Sequence, residues 1–265
     1  MTDTRKVTDA WGEIHERHPA VHRIRHVRHI NRLGFRDFAR ITQRVNGLPR
    51  RARILEAGCG SGRDSLYFST RGHECVALDY YLTPLLLLQR ATKVFEVDSS
   101  GHCLDLHAVC GDVFSLPFSD NTFDLVFNSG VIEHYEACAT RIRLVRELCR
   151  VTRPNGYVCI MVPNRNHVLD PVWNALVRNL TDHDEYGIPE QCLTLDQLSG
   201  EMKVSGLAVI TGEGIDVFDT ICHYPTWLPL RVLAHVAHRT FPRPPQSVRR
   251  LFGTRLLVLG KKSPV

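Results

Sequence analysis

The residues of this chain with the type and setting to do chemistry fall mainly between positions 56 and 134. Glu56-x-Gly58-x-Gly60-x-Gly62 follows the short run Arg53-Ile54-Leu55, so an acidic residue and alternating glycines close an aliphatic segment. Glycines lack Cβ atoms, so the backbone can bend sharply there, and a flat or anionic ligand can lie against the N–H groups of the turn. Asp79 ends the next apolar run, Cys75-Val76-Ala77-Leu78, seventeen residues past Gly62. A carboxylate at that point suits the two hydroxyls of a ribose. A dinucleotide turn would place another glycine at 63, where Arg63 stands, and this disfavours a pyrophosphate. Gly111-Asp112-Val113 follows a third run, and Asn128-Ser129-Gly130 with Glu133-His134 follows a fourth. Among titratable groups His134 is the best placed general base, flanked by Glu133 and Tyr135, with His167 as second candidate.

These positions need a scaffold that brings the ends of several runs together. The apolar segments 53–57, 75–79, 106–110, 123–127, 157–162, 207–210 and 255–259 read as strands. Helical spacing fills the intervals 64–70, 82–97, 140–151 and 194–204, and Arg153-Pro154-Asn155-Gly156 reads as a turn into the fifth strand. Alternating strands and helices imply a parallel sheet with helices on both faces. In such a sheet the ligand sits outside the carboxyl ends of the strands, near the switch point beside the first one. All the residues above lie at such ends.

Together, Glu56-x-Gly58-x-Gly60-x-Gly62, Asp79, Gly111-Asp112 and Phe123-Asp124-Leu125-Val126 resemble the class I S-adenosylmethionine-dependent methyltransferases. The resemblance covers roughly residues 50 to 163. It implies an α/β fold with a doubly wound, mostly parallel seven-stranded sheet of Rossmann-like type, carrying N-terminal helices and helical cap insertions. It also implies S-adenosylmethionine (SAM) as methyl donor and S-adenosylhomocysteine as product. Gly58, Gly60 and Gly62 would pack against the methionine part and ribose, with Glu56 supporting the amino end. Asp79 would hold the ribose hydroxyls and Tyr80 would lie beside the adenine. Asp112 would accept from the adenine amine and Val113 would lie near its ring, with Asn128 completing the cofactor set. Each carboxylate has a plainer reading, since a strand-end Asp can simply cap the following helix.

The expected organisation is an N-terminal helical lid or arm over 1–50, a cofactor-binding core over 51–163 and a cap insertion over 164–192. A C-terminal part of the core over 193–265 holds a second insertion at 217–254. The arm is basic: residues 5 to 53 carry thirteen Lys and Arg against four Asp and Glu, while the whole chain has a formal charge of +5. Such an arm can meet a phosphate backbone, an anionic membrane or an acidic substrate, or form a solvated helix face. His15, His18, His22, His26 and His29 recur at helical spacing. Pro19 interrupts them and no carboxylate or cysteine cluster joins them, so a polar face is favoured over a metal site. The insertion 217–254 has five arginines against Asp219 and could wall a pocket for an apolar molecule or lie on a membrane surface; a buried cap helix is the alternative. Nine cysteines without a C-x-x-C pair read as small buried hydrophobes. With no run of eighteen apolar residues and no apolar leader, a cytoplasmic protein is expected.

The leading expectation is methyl transfer to O, N or C of a small organic acceptor, with peripheral membrane contact open. An RNA methyltransferase using the basic arm is the alternative, although Asn128-Ser129-Gly130-Val131 replaces the Asn-Pro-Pro-Tyr-like tetrad of that class. A non-catalytic SAM-binding module is the third. The Glu133-His134 pair resembles the metal pair of certain RNA 3′-end methyltransferases, but Arg141, Arg143 and Arg146 follow it, so no metal is expected.

Overall fold

A computed structural model describes residues 3–17, 45, 48–98, 103–168, 190–215, 217 and 244–264. Seven strands form one sheet: β1 (Arg53–Ala57), β2 (Glu74–Asp79), β3 (Leu106–Cys110), β4 (Phe123–Ser129), β5 (Thr152–Pro163), β6 (Leu207–Ile215) and β7 (Arg255–Lys262). Their order is β3-β2-β1-β4-β5-β7-β6. The first five pair in parallel, and β7 runs antiparallel to both of its neighbours. The expected mostly parallel, doubly wound sheet is therefore present. Because the chain runs outward from β1 through β2 and β3 and then returns to β4 on the other side, the switch point lies between β1 and β4.

Successive strand residues face opposite sides, and both sides are buried, so the central strands read as nearly unbroken apolar runs. Leu55, Val126, Val158 and Ile160 join one core, packed under α4 (Cys138–Val151) through Leu144, Val145 and Leu148, and under α5 (Leu195–Val204) through Leu198 and Met202. Ile54, Leu125, Phe127 and Cys159 join the other, packed against Leu66, Tyr67 and Phe68 of α2 (Arg63–Ser69). A smaller cluster seats α3 (Leu82–Asp98) by Leu85 and Leu88. α1 (Asp3–Arg17) stands before the sheet in the chain, and α6 (Gln246–Phe252) precedes β7.

Three local features depart from the sequence reading. Residues 153–156, expected as a turn, lie within β5 as an irregularity: Phe123 pairs with Thr152, then Leu125 with Tyr157. Asn155 takes the left-handed conformation there, which an Asn tolerates. β6 continues past Ile210 to Ile215, through Thr211-Gly212-Glu213-Gly214, after a register shift that leaves Ile210 exposed. Gly214 is required by contact rather than by a turn, because a Cβ there would meet the Arg249 carbonyl of α6. α6 itself was not expected; Asn164, fully buried, donates to the carbonyls of Arg250 and Gly253 and so closes its C-terminal end. The expected helical continuation over 18–44, the ladder from His18 to His29, the cap around Trp173 and Tyr186, and the helix at 230–238 lie outside the described residues.

Candidate active site

At the end of β1 the glycine turn is shaped by the protein more than by any ligand. Gly58, Gly60 and Gly62 all have left-handed φ, between 48° and 78°, a region costly for residues with a Cβ. A Cβ on Gly58 would lie 2.3 Å from Val131 Cγ2, and one on Gly62 would lie 2.3 Å from Leu88 Cδ2. The amides of Gly58 and Cys59 both donate to the Leu78 carbonyl, that of Gly60 to Asp79, and that of Gly62 to the Cys59 carbonyl. These four N–H groups are turned into the protein, so the expectation that a ligand rests on them is corrected. What Gly58, Cys59 and Gly60 offer instead is a bare wall of a cavity of about 610 Å³. Gly62 is not part of that wall; it lets α3 pack closely. Glu56 also lies off the wall. Its buried carboxylate accepts from the amide and hydroxyl of Ser65, closing the N-terminal turn of α2, and burial with the nearby Asp64 carboxylate pushes its pKa well up.

The ends of β2 and β3 contribute Asp79, Tyr80, Asp112 and Val113 to the same cavity, as the sequence anticipates. One Asp79 oxygen accepts from the Gly60 amide at 2.8 Å and the other from the Tyr81 amide at 3.0 Å. This carboxylate caps backbone and lines the cavity at once, and a carboxylate is an acceptor suited to hydroxyls. Asp112 accepts from the Phe114 amide at 2.8 Å, which fixes the turn after β3.

The end of β4 distributes its residues differently from the sequence expectation. Asn128 is fully buried and its Nδ2 donates to the Ala57 carbonyl at 2.6 Å, tying β4 to β1 behind the cavity. Ser129, Gly130, Val131 and Tyr135 line the cavity instead. Glu133 and His134 sit in the 3₁₀ turn Ile132–His134, both buried and neither on the lining. Burial raises the Glu133 carboxyl to about 8, and among the described residues its Oε2 meets no hydrogen-bond partner. The His134 ring packs edge-on against Trp11, with centroids 5.3 Å apart. His167, also buried, donates its amide to the Asn164 carbonyl and is not on the lining either.

α1 supplies the remaining wall, through Thr4, Arg5, Val7, Thr8, Asp9 and Trp11. The helix is held there by Tyr81, whose hydroxyl donates to the Thr8 carbonyl and whose ring lies against Gly12. None of these α1 residues was singled out from the sequence. A signal was available: Thr4, Val7, Thr8 and Trp11 recur at the spacing of one helix face. The Phe114 and Tyr135 rings meet edge-to-face at 5.0 Å, and with Trp11 they make up an aromatic part of the lining, called here the aromatic end. Among the described residues, no group of three or more His, Cys, Asp or Glu is placed to hold a metal, and no helix is long and apolar enough to cross a membrane.

Residues 55–160 match the family described as a methyltransferase domain. This stretch is a class I SAM-dependent methyltransferase domain. Within it lie the glycine turn, both strand-end aspartates and the aromatic residues after β3 and β4. The malonyl-[acyl-carrier protein] O-methyltransferase of Salmonella typhimurium is 34% identical over 144 residues, which are 54% of this chain and 51% of that protein. A Bos taurus protein named "Probable tRNA methyltransferase 9B" is 30% identical over 150 residues, 52% of this chain and 30% of that one. The chain spans about half the length, or less, of the curated relatives it matches. A SAM-dependent methyltransferase structure from Methanosarcina mazei aligns with a TM-score of 0.58 at 16% identity, over 85% of this chain and 98% of its own, a likeness of fold.

Proposed function

We propose that this methyltransferase domain moves the methyl group of SAM to oxygen, nitrogen or carbon of a small organic acceptor. The observation that carries the reading is the cavity itself. One continuous wall joins the strand-end carboxylates and glycine turn, suited to a nucleoside, to the aromatic residues Trp11, Phe114 and Tyr135. Its volume lies within the range of about 300–1,000 Å³ usual for small-molecule sites. The residues present fit the cofactor: Asp79, preset by two backbone amides, presents an acceptor carboxylate on the lining for the ribose hydroxyls, Tyr80 offers a ring, and Asp112 with Val113 flanks the place of the base. SAM supplies a methyl already activated on a sulfonium.

The protein's task is then alignment and exclusion of water, and orientation of this kind corresponds to effective molarities of about 10⁵–10⁸ M. Trp11, Phe114, Val131 and Tyr135 position the acceptor, and α1 serves as the lid. His134, buried behind Trp11, orients that indole in this reading rather than taking a proton.

Purified protein incubated with methyl-labelled SAM and a lysate of its host tests this. Label in the small-molecule or lipid fraction is expected. The second reading, RNA methylation, draws on the basic front end and on the relative named for tRNA; label in RNA, with binding that weakens steeply with salt, would establish it instead. S-adenosylhomocysteine binding without transfer into any fraction would favour a SAM-binding module.

A further inference from the structure

We infer that Arg141, outside the cavity, is a positioning residue for acceptor methylation, acting through Tyr135. The inference rests on the proposed reading of the aromatic end as the acceptor side. Between the 3₁₀ turn and α4, Tyr135 and Ala137 are extended, and Ala137, the α4 N-cap, has no side chain able to close the helix. Arg141, at the end of the first turn of α4, does the holding instead. Its Nη1 donates to the Tyr135 carbonyl at 2.9 Å and to the Glu136 carbonyl at 2.6 Å. Its Nε donates to both carboxylate oxygens of Glu201 in α5 at 3.1 Å, and Nη2 adds a further bond to that group.

Stability alone is a poor explanation of this arrangement. The pair is almost wholly buried, with side chains 8% and 6% exposed, and a buried ion pair often stabilises no more than apolar residues of the same size. A cation near a helix N-terminus also opposes the helix dipole. What the fork-shaped guanidinium does that an apolar residue cannot is fix two carbonyls and a carboxylate in one plane. The fixed object is the backbone of Tyr135, the residue whose ring forms the aromatic end with Phe114. The Glu133 carbonyl, two residues earlier, accepts from the Gln191 amide at 2.7 Å, so the segment is tethered on both sides while its ring faces the cavity.

Arg141→Lys keeps the charge but cannot span the carboxylate and both carbonyls. In that variant S-adenosylhomocysteine should bind within about twofold of wild type, while transfer from labelled SAM to the lysate acceptor should fall about tenfold or more. In a Tyr135→Ala background the same substitution should cause no further fall, because the two residues act as one unit. Unchanged transfer, an equal loss in both backgrounds, or a loss of cofactor affinity as large as the loss of transfer would each overturn the inference. If Arg141→Lys does not fold, Glu201→Gln releases the guanidinium from the other side and is read in the same way. If the wild type labels nothing, the acceptor reading fails separately. The clamp is then read by amide exchange of residues 135–137 in the S-adenosylhomocysteine complex: faster exchange in Arg141→Lys supports it, and unchanged exchange refutes it.

Discussion

The two ends of the cavity are built by different means. At the end read as the cofactor side, the last residue of β2 and the turns after β1 and β3 supply Asp79, Gly58, Gly60 and Asp112, and hydrogen bonds of backbone amides fix each one. At the aromatic end, Trp11, Phe114 and Tyr135 come from α1 and from the turns after β3 and β4, and ring contacts and a distant ion pair hold them. In the first set Asp79 and Asp112 line the cavity and accept backbone amides at once. On the proposed reading the first set holds the cofactor and the second chooses the acceptor.

Substitutions can break that division. The largest effect is expected from Gly58→Ala, which places a methyl 2.3 Å from Val131 at a φ of 78°. Backbone strain of this type costs on the order of 1–3 kcal/mol, and the clash adds to it. Calorimetry should show S-adenosylhomocysteine binding weakened well beyond tenfold; normal affinity would mean that the turn is not part of the cofactor end.

Asp79→Ala comes next. It removes a hydroxyl acceptor and strands the Gly60 and Tyr81 amides, so cofactor affinity should fall by more than about tenfold and stability by about 1–3 kcal/mol. A variant that loses stability but binds normally would leave Asp79 as a cap only. Trp11→Ala should divide the two ends: transfer falls about tenfold while S-adenosylhomocysteine affinity changes by less than about threefold. Equal losses in both would merge them.

Glu133 permits a test by pH, because burial holds its carboxyl at about 8 against an ordinary 4.5. A folded-state pKa raised in this way contributes stability that is full below about 4.5 and lost as the pH rises through about 8. Melting of the wild type between pH 6 and 8 should therefore decline, by at most about 1.4 kcal/mol per pH unit from this group, and Glu133→Gln should flatten the curve. A variant curve parallel to the wild type would mean that Glu133 does not stay protonated in the fold. The smallest effect is expected from Thr194→Ala, which breaks the capping box that Thr194 and Gln197 form at α5. About 1 kcal/mol of stability should be lost with cofactor affinity intact. A changed affinity would show that the α5 end communicates with the cofactor site.

Much of the strand-end part of the cavity wall was legible in the sequence, because strand periodicity, glycine turns and strand-end carboxylates are local features. Asp79, Tyr80, Asp112 and Val113 lie where those features place them. Local reading failed where a residue's use depends on a neighbour distant in the chain. The sixth strand reads as ending at 210, whereas it runs on to Ile215 with Gly214 against α6, and Asn128 reads as a ligand until its amide is seen to meet the Ala57 carbonyl.

The sequence by itself determined the strand-and-helix alternation, the parallel core and the turn that must be glycine, since these follow from side-chain periodicity and allowed backbone angles. Only the tertiary structure decided which side of each turn faces the cavity, that α1 walls it with Trp11, and that Arg141, while bonded to the Tyr135 carbonyl, meets Glu201 from 60 residues further along the chain. Such contacts depend on how elements pack, and packing brings together residues whose spacing along the chain carries no mark of their meeting.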